Sequence, residues 1–442
     1  MRRRSRLRFT GLLAAAMLAA SPTGAGSTGA AAPAAAAPRP PALSPGQRLR
    51  LFDQVWEEIR DRYYDPGFNG VDWDQVRARY RPRVEAAADD AAFNALLRAM
   101  VGELRDAHTR ILSADQVRDR REQRTTTAGV ILFEVEGQPA VFEVRANSPA
   151  AAAGLRPGQR VLAVDGVPVG AALARARAEV GPSSSDRAAL ILSYLRLVAG
   201  RADAPLRLSL DARDGGPAEV VLTRRALPAA PQFEARLLPS GHAYVRFDRF
   251  RAPVARRLRA ALEAYRDAPG LILDLRSNTG GDGEEGMRAV APLLDRPTLV
   301  ARLATRTGRA PSALLGLVRL PLELSAGAVG RQLYSGPLVI LTNPGTASTS
   351  EVIAAALQER GRAKVVGTRS CGCALGVLRH RRLSNGAALA ISEVGLVTGL
   401  GRRIEGEGVA PDLAVEPRLA DLRDGRDAAL EAAVRLLAGG AR

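Results

Sequence analysis

Ser348 stands where a hydroxyl can be turned against a carbonyl. An apolar run, Leu338-Val-Ile-Leu-Thr342, breaks at Asn343-Pro-Gly345 and passes through Thr346, Ala347 and Ser348 into a helical pattern ending near Leu357. A strand, turn and helix in that order put a serine on a helix N-terminus, where unbonded N–H groups and the positive end of the helix dipole can hold an oxyanion. The same pattern suits a plain helix cap by Thr346 or Ser348. Upstream, Gly270-Leu-Ile-Leu-Asp-Leu-Arg-Ser-Asn-Thr-Gly-Gly281 is a second apolar run closing in a glycine turn. Glycine lets backbone amides approach a carbonyl with no side chain between. One oxyanion donor is therefore expected from Thr349 and another from Gly280 or Gly281, with Asn278 and Asp274 orienting the turn.

A serine needs a positioned base. The chain has three histidines, His108, His242 and His380, and a single lysine, Lys364. Lys364 lies in a strand-like segment beside Val365 and Val366 and reads as a packed sheet residue. His242 reads as a partly exposed edge residue and His380, among arginines, as solvent-facing. Cys371 and Cys373 are the only cysteines. They can be free, bridged to each other or joined to another chain, and they lack the further ligands that a structural zinc requires. Neither a metal nor another cofactor is expected.

The glycine turn, the Ser348 turn, Val365-Val-Gly-Thr368 and Glu405-Gly-Glu-Gly-Val-Ala-Pro-Asp412 occur in the order found in the C-terminal-processing, or tail-specific, serine peptidases, which this chain resembles from about Leu51 to Val415. The resemblance implies a crotonase/ClpP-like α/β catalytic core with Ser348 as nucleophile. It puts Cys373 where those peptidases carry their lysine base, which makes a serine–lysine dyad with Lys364 a poor fit. Val101-Gly-Glu-Leu-Arg-Asp-Ala-His-Thr-Arg110 is similar to the family's Asp-x-His-Thr signature, and in the tricorn-like branch that histidine serves as base beside a glutamate. The resemblance thus implies a catalytic set of Ser348, His108 and Glu405. The plain alternatives are an Asp106 or Thr109 helix-end cap and a solvated Glu405, with Glu407 as alternate. Glu359 reads as a surface helix residue next to Arg360.

Met1-Arg-Arg-Arg-Ser-Arg-Leu-Arg8 and the apolar Phe9–Ala20 run have the form of a signal peptide, assigned to 1–25 and followed by an Ala/Pro-rich linker over 26–45. The expected location is periplasmic or extracellular, with no stable membrane span after cleavage. A helical domain is expected over 46–125, with Trp56 and Trp73 in its core. Residues 126–227 turn to short strands, and Ser148-Pro-Ala150, Ala153-Gly-Leu-Arg-Pro-Gly158 and Val164-Asp-Gly166 resemble a PDZ domain. That resemblance implies capture of an extended peptide's C-terminal carboxylate by Ala128, Gly129 and Val130. Residues 228–438 alternate strands and helices, completing an α/β multidomain fold. The net charge of +17 is scattered among acids and accompanied by few aromatics, which argues against nucleic acid. The partners expected are polypeptide substrates or their tails. The chain therefore reads as an exported serine endopeptidase for unstructured polypeptides. The alternatives are a noncatalytic protein that binds peptides or apolar ligands and a thiol peptidase using Cys373.

Overall fold

The computed structural model describes residues 42–439 apart from 216–217, 230–231, 311, 314–317, 320–321 and 328–331. The signal-peptide segment, and the linker up to Pro41, lie outside the described residues.

Three helices, Pro45–Arg62, Trp73–Glu85 and Asp90–Gly102, form the N-terminal region, each capped by a side-chain oxygen from Ser44, Asp72 or Asp89. Trp56 and Trp73 are buried between the first two, and each indole N–H donates to the other's carbonyl at 2.9 and 3.1 Å. This reciprocal pair removes the polar cost of burying two indoles. The core of the helical region also takes in Leu383, Leu389 and Ile391 from late in the chain. Strand Arg110–Leu112 seals the join by pairing antiparallel with Ala388–Ala390.

Strands Arg124–Thr127 and Arg225–Pro228 pair antiparallel at the entrance and exit of the PDZ region. Between them lie the hairpin Val130–Val135/Gln138–Val144 and a four-stranded sheet with the order Val167–Pro168, Val161–Val164, Pro205–Leu210, Glu219–Thr223. Ser148 caps the short helix Pro149–Ala152, as its Ser-Pro sequence predicts. Two longer helices follow, Val169–Val180 and Asp186–Val198.

The core is a six-stranded sheet. Phe233–Leu237 runs antiparallel to Ala243–Phe247, after which Leu271–Asp274, Leu338–Thr342, Lys364–Gly367 and Leu413–Ala414 follow in parallel. Every residue of Leu271–Asp274 and Leu338–Thr342 is buried, because both sheet faces are covered. Helices Val254–Ala264, Gly283–Val290 and Thr349–Glu359 pack on one face. Helix Ala428–Gly439 packs on the other, against Tyr244, Ile272, Val339 and Val366. The glycine turn and the Ser348 turn leave the same end of adjacent parallel strands, a usual place for a site in an α/β sheet.

Candidate active site

Ser348 enters its helix with φ 58° and ψ −125°. A non-glycine residue in that region is strained by on the order of 1–3 kcal/mol and persists only where its surroundings hold it. Here they do. Thr346, fully buried, donates its hydroxyl to the Leu275 carbonyl at 2.7 Å and accepts from the Asn343 amide. Asn343 accepts from the Ser277 amide at 2.8 Å, and the Ala347 amide donates to the Asn278 carbonyl at 3.0 Å. The Ser348 amide donates to both the Cys373 carbonyl at 2.9 Å and the Glu351 carboxylate at 3.0 Å. The half-buried Ser348 is thereby turned out of the helix at its first turn.

The glycine turn lies against this elbow. A Cβ on Gly280 would stand 2.7 Å from both the Ala347 oxygen and Ser348 Cβ, so only glycine fits there. The Gly280 amide is not available to a substrate, because it donates to Asn278 Oδ1 at 3.0 Å. This corrects the sequence expectation for Gly280: it is a close-approach residue, not a donor in this conformation. Among the described residues, the amides of Gly281 and Thr349 donate to no other group. The Thr349 hydroxyl donates to the Gly281 carbonyl at 2.9 Å and ties the two together. Asn278 organises both turns, accepting from Gly280 and from the Ser350 hydroxyl while donating to the Phe247 carbonyl. Asp274 accepts from the Arg276 amide and pairs with its guanidinium, which holds its carboxyl below the ordinary value despite burial.

Glu351 ties the serine helix to the cysteine loop through four hydrogen bonds, and the sequence reading did not single it out. It is fully buried and accepts from the Ser370 hydroxyl at 2.6 Å and from the amides of Gly372, Cys373 and Ser348 at 2.7, 2.9 and 3.0 Å. Burial pushes its carboxyl above the ordinary value and the four donors oppose that. The signal was present in Ser348-Thr-Ser-Glu351, the spacing of a capping box. Cys371 and Cys373 form a disulfide, packed against Ala107, Ala188, Ile191 and Ala347.

Asp106 fixes the His108 backbone, accepting from the amides of His108 and Thr109 at 2.7 Å, from the Thr109 hydroxyl at 2.6 Å and from Ser392 at 2.9 Å. Among the described residues the imidazole makes no hydrogen bond, and its buried Nδ1 is left without a partner. Burial pushes His108 down to about 4, with Asp106 opposing and Arg110 adding to the effect, so the ring is neutral at pH 7. Glu405 is buried, not solvated, and accepts from the Ala374 amide at 2.6 Å. Burial raises it to about 7, opposed by the Ser184 hydroxyl and the Ala374 amide. The structure does not join Ser348, His108 and Glu405 by direct side-chain hydrogen bonds. It brings their loops around a common centre instead. Ala107 and Ala347 pack against the cluster of Cys371, Cys373 and Ala188, the Ala107 amide donates to Ser184 Oγ at 3.0 Å, and the Gly406 amide donates to the Gly372 carbonyl at 2.9 Å.

The other titratable candidates lie elsewhere. His242 is buried, not at an exposed edge, with Nδ1 2.9 Å from the Ser240 hydroxyl. His380 is half-buried on a strand. Lys364 is exposed and 3.4 Å from Asp412, because its side chain leaves the sheet at the position where Val365 enters it. Glu359 is not a free surface residue: it pairs with Arg360 and accepts from the Thr398 hydroxyl at 2.6 Å. In the PDZ region, Gly129 turns with φ +81° against Ser148, and Ala128 and Gly129 offer their carbonyls to the Ala150 and Arg145 amides. Val130 opens the hairpin strand. Among the described residues, no helix is long and apolar enough to cross a membrane.

Comparison with known proteins agrees with this anatomy. The Peptidase family S41 profile matches residues 241–415, the Tricorn protease C1 domain residues 47–102 and the PDZ domain residues 141–178. A carboxyl-terminal-processing protease of Synechocystis sp. is 28% identical over 417 residues, covering 91% of this chain and 89% of that protein. The structure of a photosystem II D1 C-terminal processing protease aligns with TM-score 0.57 and 25% identity, over 88% of this chain and 97% of its own. Mature CPAF complexed with lactacystin shares the fold at TM-score 0.62 and 15% identity, over 89% of this chain and 98% of its own.

Proposed function

We propose that this chain, a serine peptidase of family S41 and a homologue of C-terminal-processing proteases, is an exported endopeptidase that cleaves unstructured polypeptides near their C-termini. The observation that carries the reading is the Ser348 elbow: a strained serine at a helix N-terminus beside the two undonated amides of Gly281 and Thr349. Ser348 Oγ attacks the scissile carbonyl carbon, and His108 takes the hydroxyl proton. The carbonyl oxygen gains its negative charge between the Gly281 and Thr349 amides. His108 then returns the proton to the leaving amine, and water attacks the acyl-serine by the reverse course. Glu405 orients His108 and balances the imidazolium. Because neither contact is made in the present arrangement, the loops that carry His108 and Glu405 close on Ser348 when substrate binds.

The PDZ region takes the substrate tail by strand addition along Val130–Val135, with its carboxylate at the Ala128, Gly129 and Val130 turn, where the Gly129 amide, which donates to Thr127 Oγ1 at 2.9 Å, exchanges that acceptor for the carboxylate. The basic and apolar N-terminal run supports export to a periplasmic or extracellular location.

The test is fluorophosphonate labelling with the modified residue mapped, run beside cleavage of an unfolded protein. Labelling at Ser348, lost with cleavage in Ser348→Ala and His108→Ala, is the expected result. A well-folded protein that neither labels nor cleaves across pH and tail peptides overturns the reading and leaves a noncatalytic peptide-binding protein.

A further inference from the structure

We infer that the Cys371–Cys373 bridge is a reversible thiol–disulfide site that sets the activity of Ser348, competent when bridged and disabled when reduced by a dithiol. This rests on the reading of Ser348 as nucleophile.

The bridged loop is held by, and holds, each part of the site. The Cys371 amide donates to the Thr346 carbonyl at 3.0 Å and the Cys373 carbonyl accepts from the Ser348 amide at 2.9 Å. The amides of Gly372 and Cys373 supply two of the four donors to Glu351, and the next amide, Ala374, binds Glu405. Ala347 and Ala107, the residues that precede Ser348 and His108, pack against the buried cluster that the two cysteines form with Ala188. Gly372, with φ +76°, is the one residue between the cysteines. With the bridge open, the two side chains separate and the glycine lets the main chain relax. The Cys373 carbonyl and amide then shift away from Ser348 and Glu351. A strained serine whose amide loses a fixed acceptor drifts from its attack position, and a displacement of about 1 Å costs on the order of 100-fold in rate.

The exchange is confined to this pair, since the chain has no other cysteine. A dithiol's thiolate attacks one sulfur to form a mixed disulfide, and the second cysteine leaves as a thiolate and takes up a proton. The dithiol's remaining thiol then displaces the first cysteine and closes its own disulfide. Two electrons and two protons pass to the protein.

Access is controlled by the PDZ region. Both cysteines are buried, and Ala188 and Ile191 cover them. That cover is pinned by the Ser185 hydroxyl on the Cys371 carbonyl at 2.8 Å and by Arg187 on the carbonyls of Ser370 and Glu407. The bridge is therefore reducible only when this segment lifts. In a reducing compartment before export the bridge does not form and the peptidase is silent; in an oxidising one it closes and activity appears.

The experiment measures fluorophosphonate labelling and cleavage in the full chain as oxidised, after dithiothreitol with both thiols verified by alkylation and mass spectrometry, and after reoxidation. A Cys371→Ser/Cys373→Ser variant is carried alongside, and all forms are checked for folding by near-UV circular dichroism. Expected are a loss on the order of 100-fold on reduction, recovery on reoxidation, and a folded double variant that matches the reduced form and ignores dithiothreitol. Arg187→Ala should speed reduction of the bridge at fixed dithiothreitol. A fully reduced protein, or a double variant, as active as the oxidised form overturns the switch alone. An oxidised protein that neither labels nor cleaves overturns the peptidase reading and the switch with it.

Discussion

The Ser348 side and the His108 side of the site are built to different standards. Around Ser348 the donors are assigned, the Thr346 hydroxyl to Leu275, the Ala347 amide to Asn278 and the Ser348 amide to Cys373 and Glu351, while the Gly281 and Thr349 amides stay unbonded among the described residues. Around His108 the backbone is just as firmly tied by Asp106, yet among the described residues the imidazole makes no hydrogen bond and Glu405 binds an amide elsewhere. In the proposed roles, the serine and its two unbonded amides are preorganised while the histidine is held in reserve. On the proposed peptidase reading, such an arrangement keeps a strained serine ready without leaving a proton acceptor against it.

The contrast can be broken first at Ser348. Ser348→Ala should abolish cleavage and labelling, a fall on the order of 10⁴-fold or more in kcat/KM, while the thermal midpoint holds, since alanine inherits the same backbone. A residual activity within tenfold of wild type, read as about 1.4 kcal/mol, would move the nucleophile elsewhere. Glu351→Gln comes next. The amide NH₂ must face backbone N–H donors, so kcat should fall by about 100-fold and stability by roughly 1–3 kcal/mol, with KM little changed. Equal losses in kcat and KM would reduce Glu351 to a residue of the fold.

The His108 side is sharpened by pH. Because Glu405 titrates at about 7 in this arrangement and must be ionised to orient His108, kcat/KM should rise with pH through about 7. Glu405→Gln should remove that limb; a limb that survives unchanged separates Glu405 from the base. The stability effects have opposite signs. Glu405, raised from 4.5 to about 7, holds its proton more tightly when folded, so stability falls as pH rises from 4.5 to about 7. His108, lowered from 6.5 to about 4, takes up its proton first in the unfolded chain, so stability falls as pH drops from 6.5 to about 4. Urea titrations of Glu405→Gln and His108→Gln across pH should each flatten one of these slopes. The smallest effect belongs to Lys364. Exposed and, among the described residues, paired only with Asp412, it should tolerate Lys364→Met with kcat/KM changed by less than about twofold and stability by under about 1 kcal/mol; a large loss of activity would restore a lysine base.

Much of this was legible before any coordinates. The buried runs Leu271–Asp274 and Leu338–Thr342, the helix after Ser348, the Trp56 and Trp73 core and the Ser148 cap follow from periodicity and capping residues within short stretches. Glu351 was legible in principle from its capping-box spacing, but its bonds to Ser370, Gly372 and Cys373 belong to a loop 19 to 22 residues away. His242 and Glu359 were misread because an exposed-looking polar residue becomes buried once Gly270 and Leu437, or Thr398, arrive from distant segments.

The sequence by itself determined the order of strands and helices, the serine at a helix start and the glycines beside it. Each depends on residues within one turn or one strand, where φ, ψ and apolar spacing are set by immediate neighbours. Only the tertiary structure decided that the Gly280 amide is spent on Asn278 while the Gly281 amide stays unbonded among the described residues. It also decided that Cys371 and Cys373 close a bridge packed beside the serine and histidine loops, and that the buried Nδ1 of His108 has no hydrogen-bond partner. Those outcomes turn on hydrogen bonds between segments as far apart as Ala107 and Ser184 or Ser185 and Cys371, and which donor meets which acceptor across such distances is fixed by packing alone.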